Sequence, residues 1–120
     1  YLANKDFYKK MKSTAILINT ARGQIFNIDD LYDALKNNII KAVGADVLPI
    51  EPPEKEHPLI SAWRNDEKWL SGRLLITPHA AFYNIESFIE MREKAALEAR
   101  RVLKGDKPKN QVNNLLTDYL

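Results

Sequence analysis

The chain has no cysteine, which excludes disulfides, thiolate metal sites and a cysteine nucleophile. That absence also fits a cytoplasmic setting. Glycine is scarce: Gly23, Gly44, Gly72 and Gly105 stand far apart. No GxGxxG loop is therefore present to cradle a phosphate against a helix N-terminus. The two histidines, His57 and His79, are too widely separated for metal-ligand spacing, so no metal is expected. No apolar run approaches membrane-spanning length, and no signal-peptide pattern opens the chain. Charge of one sign is lacking too: 18 Lys and Arg against 16 Asp and Glu leave a formal charge of +2. The basic residues are dispersed rather than gathered into a stripe, which argues against a nucleic-acid partner, as the lack of a spanning apolar run argues against a membrane.

What is present suffices for one small domain: 120 residues, 45% of them hydrophobic, can close a packed core. Residues Asn4 to Lys12 read as a helix already under way, with no initiating Met before it. The segment is therefore expected to belong to a longer protein.

Three short apolar runs, Ala15–Ile18, Ala42–Ala45 and Leu74–Thr77, read as strands, each too short for a buried helix. None alternates apolar and polar, the pattern expected of strands covered by helices on both faces. Between the first two, Asn27 is a natural N-cap, with Asp29 and Asp30 in the first turn and Leu31, Ala34 and Leu35 on one face. Strand, helix and strand in this short compass predict a parallel crossover. Pro52, Pro53 and Pro58 forbid regular strand in the long connection from Glu51 to Gly72. Leu59 to Leu70 fits a short helix, with Trp63 and Trp69 as its anchors. A long helix from Ile85 to Leu103 ends at Gly105 and Pro108. Gln111 to Leu120 reads as an extended tail that docks elsewhere. The fold class is α/β, half of a doubly wound parallel sheet.

Ligands of open parallel sheets bind beyond the carboxyl ends of the strands. The first strand runs into Asn19-Thr20-Ala21-Arg22-Gly23, the second into Asp46 and then Glu51, the third into Thr77-Pro78-His79. One cation, two carboxylates and an imidazole thus converge on one edge, an inventory suited to binding a small anion and moving a proton. Singly, each has a plain structural reading: a surface ion pair for Arg22, a solvated acid for Glu51, a backbone-bonded histidine for His79. Their convergence favours chemistry. His57 lies in the charged, exposed-looking run Lys55-Glu56-His57-Pro58 and reads as a bystander.

With these residues in place, the stretches MKSTAILINTARGQIFNIDDLYDALKNNIIKAVGADVLPIEPP and LLITPHAAFYNIESFIEMREKA resemble the D-isomer-specific 2-hydroxyacid dehydrogenases. The INTARG, ADV…EP and TPH blocks together carry the likeness. His79-Ala80-Ala81-Phe82-Tyr83 also resembles a run in the C-terminal-binding-protein corepressors, which belong to the same family. The resemblance implies residues 1–104 as the C-terminal half of a Rossmann-like NAD-binding domain and 105–120 as a tail returning toward a substrate domain. It implies reversible reduction of a 2-keto acid to a 2-hydroxy acid with NAD as cofactor, in a homodimer. Arg22 would hold the substrate carboxylate, His79 would be the general acid/base, and Glu51 would orient His79 and favour its protonated form. Asp46 would bond to the nicotinamide carboxamide. Thr20, Ala21, Arg22, His79 and Ala81 would line the cofactor pocket, and Phe82 would shape the substrate pocket.

The sequence departs from the family in holding neither the Gly-rich loop nor the acidic ribose-binding residue. Its link from Glu51 to His79 is also longer, an expected surface elaboration around Trp63 to Arg73. The isolated chain is accordingly expected to bind dinucleotide weakly and to be inactive. Two rivals remain open: a dinucleotide-sensing, corepressor-like module, and an inactive fragment.

Overall fold

Apolar and β-branched residues build three parallel strands in the order β1 (Ile16–Asn19), β2 (Ala42–Ala45) and β3 (Leu74–Ile76). The register aligns Leu17, Val43 and Leu74 in one row and Ile18, Gly44 and Leu75 in the next. The computed structural model describes residues 1–112, which fall into two units, the first Tyr1–Ala81 and the second beginning at Phe82. Residues 113–120 of the expected tail lie outside the described residues.

In the first unit the strands alternate with helices α1 (Lys5–Lys9), α2 (Ile28–Lys36) and α3 (Pro58–Arg64). Asn27 caps α2, its side chain accepting from the amides of Asp29 and Asp30, as the sequence suggests. Leu31, Ala34 and Leu35 turn inward to a core shared with Tyr8, Phe26, Ile40, Val43, Leu59 and Ile60. Each large aliphatic side chain fully withdrawn from water there contributes about 2 kcal/mol. Arg73 ties the opposite end of the sheet, its guanidinium donating to the carbonyls of Ile40, Lys41 and Trp69.

Several boundaries move. The first helix is Lys5–Lys9 rather than reaching Lys12, because Lys10 already closes it against Phe7 and Tyr8. The first strand is shifted by one residue from Ala15–Ile18, and the third stops before Thr77, whose side chain turns to other use. Helix α3 covers only the first part of Leu59–Leu70: Pro58 starts it, Asn65 ends it, and Asp66 enters the left-handed region at φ 48°. Trp69 then packs edge-on to Tyr32, 5.8 Å between ring centroids, beneath the Lys36 ammonium. Trp63 stays at the surface.

Among the described residues Ile16, Ile18 and Leu75 are 57%, 70% and 65% exposed. Uninterrupted apolar strands signal two apolar faces, but they do not say that both are filled within the segment. His57 corrects one reading: it is not exposed, its side chain being only 15% accessible. Its Nδ1 accepts the Leu59 amide at the start of α3, 3.2 Å away. An accepting imidazole nitrogen carries no hydrogen, so Nε2 donates to Asp29 at the start of α2, 3.1 Å away. One ring therefore fastens two helix N-termini.

The second unit contains α4 (Ile85–Leu103), capped by Asn84, whose side chain accepts the Ser87 amide at 2.7 Å. Gly105, at φ 80°, closes it in the left-handed conformation that glycine adopts without steric cost. Among the described residues no helix is long and apolar enough to cross a membrane.

Candidate active site

Arg22, Asp46, Glu51 and His79 all follow the carboxyl ends of the strands. β1 ends at Asn19, a buried residue whose amide shapes the next turn: Nδ2 donates to the Arg22 carbonyl at 2.9 Å, and Oδ1 accepts the Ala21 amide at 3.1 Å. Thr20, Ala21 and Arg22 are thereby held outward on an exposed rim. The Arg22 guanidinium reaches back to the Ala21 carbonyl at 2.6 Å.

β2 delivers two carboxylates with different tasks. Asp46 is buried and organises the loop after β3. Its Oδ1 accepts the Thr77 hydroxyl at 2.5 Å and the Ala80 amide at 2.9 Å, while Oδ2 accepts the Ala81 amide at 2.9 Å. The Asp46 carbonyl also accepts the His79 amide at 2.9 Å. Those bonds hold His79 at φ 53°, a left-handed conformation that costs a residue with a Cβ about 1–2 kcal/mol. Glu51, next to the cis peptide to Pro52, works on the ring instead. Its Oε1 accepts the Leu48 amide at 2.8 Å, and its Oε2 lies 2.8 Å from Nδ1 of His79. A carboxylate partner fixes the hydrogen on Nδ1.

Both carboxyls are held below their ordinary range. For Asp46 the largest cause is the Thr77 hydroxyl, with the Ala81 and Ala80 amides adding to it against a desolvation penalty. For Glu51 it is the bond to His79, followed by the Leu48 amide. A depressed carboxyl contributes stability that is present above its ordinary pKa and lost as pH falls through the folded-state value. The loop 77–81 is therefore expected to stay ordered at neutral pH and to loosen only once the pH drops below the usual carboxylate range. Hydrogen exchange of the Ala80 and Ala81 amides in the full-length protein checks this. Protection factors that fell near neutrality, or survived full acidification, would contradict it.

Arg22, Glu51 and His79 line one cavity of about 180 Å³, with Gly23, Gln24, Val47, Leu48 and Pro49 completing its wall. The three side chains singled out from sequence are thus brought together. Asp46 lies behind the loop that carries His79, and Thr20, Ala21 and Ala81 lie exposed on the strand-end rim. Phe82 belongs to the second unit, where its ring meets Tyr83 edge-on. Sequence reasoning passed over Asn19 and Thr77. Their polar side chains at the ends of apolar strands were the available signal. No group of three or more His, Cys, Asp or Glu side chains that could hold a metal ion occurs among the described residues.

Parallel strands joined by helical crossovers, with polar groups gathered at the carboxyl ends, are the architecture of the nucleotide-binding α/β proteins. Within that class the chain belongs to the D-isomer specific 2-hydroxyacid dehydrogenase family, its residues 1–81 matching the family's NAD binding domain. It is 37% identical over 113 residues to a glyoxylate reductase of Thermofilum pendens, covering 94% of this chain and 31% of that protein. It is 52% identical over 60 residues to the Homo sapiens glyoxylate reductase/hydroxypyruvate reductase, covering 50% of this chain and 18% of that protein. Among solved structures, the NAD-complexed D-isomer specific 2-hydroxyacid dehydrogenase of Lactobacillus delbrueckii ssp. bulgaricus superposes with a TM-score of 0.65 at 32% identity, over 93% of this chain and 35% of that one. A relative from Xanthobacter autotrophicus Py2, in complex with NADPH and MES, gives a TM-score of 0.72 at 28% identity, over 93% of this chain and 42% of that one. The chain spans less than half the length of each of these relatives.

Proposed function

We propose that the protein carrying this segment reduces a 2-keto acid to the 2-hydroxy acid, reversibly, with NAD(H). The relay from the Leu48 amide through Glu51 to His79, opening on a cavity that Arg22 also lines, is the observation that carries this reading. Arg22 takes the substrate carboxylate, for which a planar guanidinium offers two parallel donors. His79 gives the Nε2 proton to the ketone oxygen during reduction and recovers it during oxidation. Glu51 keeps the ring oriented and balances the imidazolium charge.

The residues present suit the nicotinamide end of the dinucleotide. The strand-end rim is small and exposed at Thr20, Ala21 and Ala81. Oδ2 of Asp46 accepts one protein hydrogen bond, from Ala81, and a carboxylate oxygen can accept a second, here from a carboxamide. The dinucleotide supplies the hydride. Binding, orientation and proton transfer fall to this chain.

The test is NADH consumption by the full-length protein across a panel of 2-keto acids, glyoxylate and hydroxypyruvate included because relatives bear those names. Turnover with at least one is expected. Tight NADH binding with no turnover on any of them would replace this reading with that of a dinucleotide sensor.

A further inference from the structure

Gly23 is the one glycine of the chain jammed against other backbone. A Cβ built on it would stand 2.0 Å from both the carbonyl carbon and the carbonyl oxygen of Leu48, and 2.4 Å from the Pro49 nitrogen. Its φ lies outside the left-handed region, so the conformation itself would accept another residue. Space alone demands glycine here. Beside it, Gln24 donates through Nε2 to the Pro49 carbonyl at 3.2 Å. The turn after β1 and the loop after β2 are therefore seamed together at residues 23–24 and 48–49.

The seam matters because of what hangs on each side. Arg22 is the residue immediately before Gly23. On the other side, the Leu48 amide anchors Oε1 of Glu51, whose second oxygen holds His79. All of these residues line the same cavity. The closeness of Gly23 to Leu48 thus governs the span from the Arg22 cation to the Glu51–His79 pair.

We infer that Gly23 is a positioning residue: by letting the two loops meet backbone to backbone, it sets the separation that accepts a carboxylate and a carbonyl on adjacent carbons. The inference rests on the reading of Arg22 and His79 given above. It makes the class of substrate, a 2-oxo rather than a 3-oxo acid, a consequence of loop spacing. Real Cβ atoms essentially never come closer than 3.0 Å to heavy atoms beyond their own residue and its chain neighbours, so any side chain at position 23 must move the loops apart by about 1 Å. A displacement of that size in a catalytic constellation costs about 10²-fold in rate.

The experiment compares the full-length protein with its G23A and Q24L variants. A crystal structure of G23A should show the Cα of residue 23 about 1 Å farther from the Leu48 carbonyl. Unchanged spacing overturns the inference, whatever the activity. In solution, G23A should melt cooperatively, keep its NADH dissociation constant within about threefold, and lose about 10²-fold in kcat/KM for a 2-oxo acid. Its preference for that acid over the 3-oxo isomer should narrow by about tenfold or more, which a general loss of stability would not produce. If G23A does not fold, Q24L decides: it should raise KM for the 2-oxo acid several-fold with little change in kcat. Wild-type values in both ratio and KM sink the inference while leaving the proposed function standing. A wild-type protein that turns over no 2-oxo acid sinks the functional reading instead, and the inference with it.

Discussion

Replacing His79 by Asn is expected to lower keto-acid turnover by about 10²–10⁴-fold, the usual worth of a positioned general acid. Asn is the informative substitution because of the backbone. His79 sits at φ 53°, where Asn is better tolerated than other side chains bearing a Cβ. The bonds from the 79, 80 and 81 amides to Asp46 should therefore survive, since none uses the imidazole. Asn cannot accept and return a proton near neutral pH, so the proton step fails while the loop stays in place. The loss should fall on kcat, because the proton moves in the transition state and not on binding. NADH affinity should change by no more than a few-fold. Parallel measurement of kcat, KM and the NADH dissociation constant in the full-length protein separates these effects. A variant within threefold of wild-type kcat would remove His79 from the reaction.

Arg22→Lys should cost about 2–3 kcal/mol of transition-state stabilisation, or about 10²-fold in kcat/KM, even though the charge is kept. The reason is geometric. A guanidinium offers paired donors in one plane, matching the two oxygens of a carboxylate, whereas an ammonium is a compact point charge on a flexible stem. Asn19 binds the Arg22 carbonyl and the Ala21 amide, leaving the Arg22 side chain exposed on the cavity wall. Its contact with the Ala21 carbonyl uses one of five N–H groups. The loss should appear mainly as a raised KM for keto acids, and it should be smaller for a substrate analogue without a carboxylate. Steady-state kinetics with both compounds measures it. Equal effects of Arg22→Lys on the two would show that Arg22 does not contact the carboxylate.

Much of this molecule can be read along the chain, because short-range chemistry carries it. Asn27 before Ile28-Asp29-Asp30 is a helix cap whatever the fold, since its side chain needs only the amides two and three residues on. Three apolar tetrads bounded by polar residues announce strands to within a residue, and compact crossovers make them parallel. Parallel strands put their carboxyl ends on one edge, which is why Arg22, Glu51 and His79 can be grouped from the chain alone. Other features depend on partners distant in sequence. Asp46 meets Thr77, Ala80 and Ala81 only once β2 pairs with β3, and that pairing turns a lone acid into the post around which the histidine loop folds. His57 looks like a loop histidine until α2 and α3 come side by side and bring Asp29 to its ring. Gly23 carries no signal in its neighbours, because its requirement is the Leu48 backbone arriving from another strand end. The sequence by itself thus determined element types, the Asn27 cap and the edge on which chemistry gathers. Tertiary structure alone decided which oxygen serves which amide and how closely the loops approach. Those depend on register and packing between segments that are far apart along the chain, and no local pattern encodes a distance of that kind.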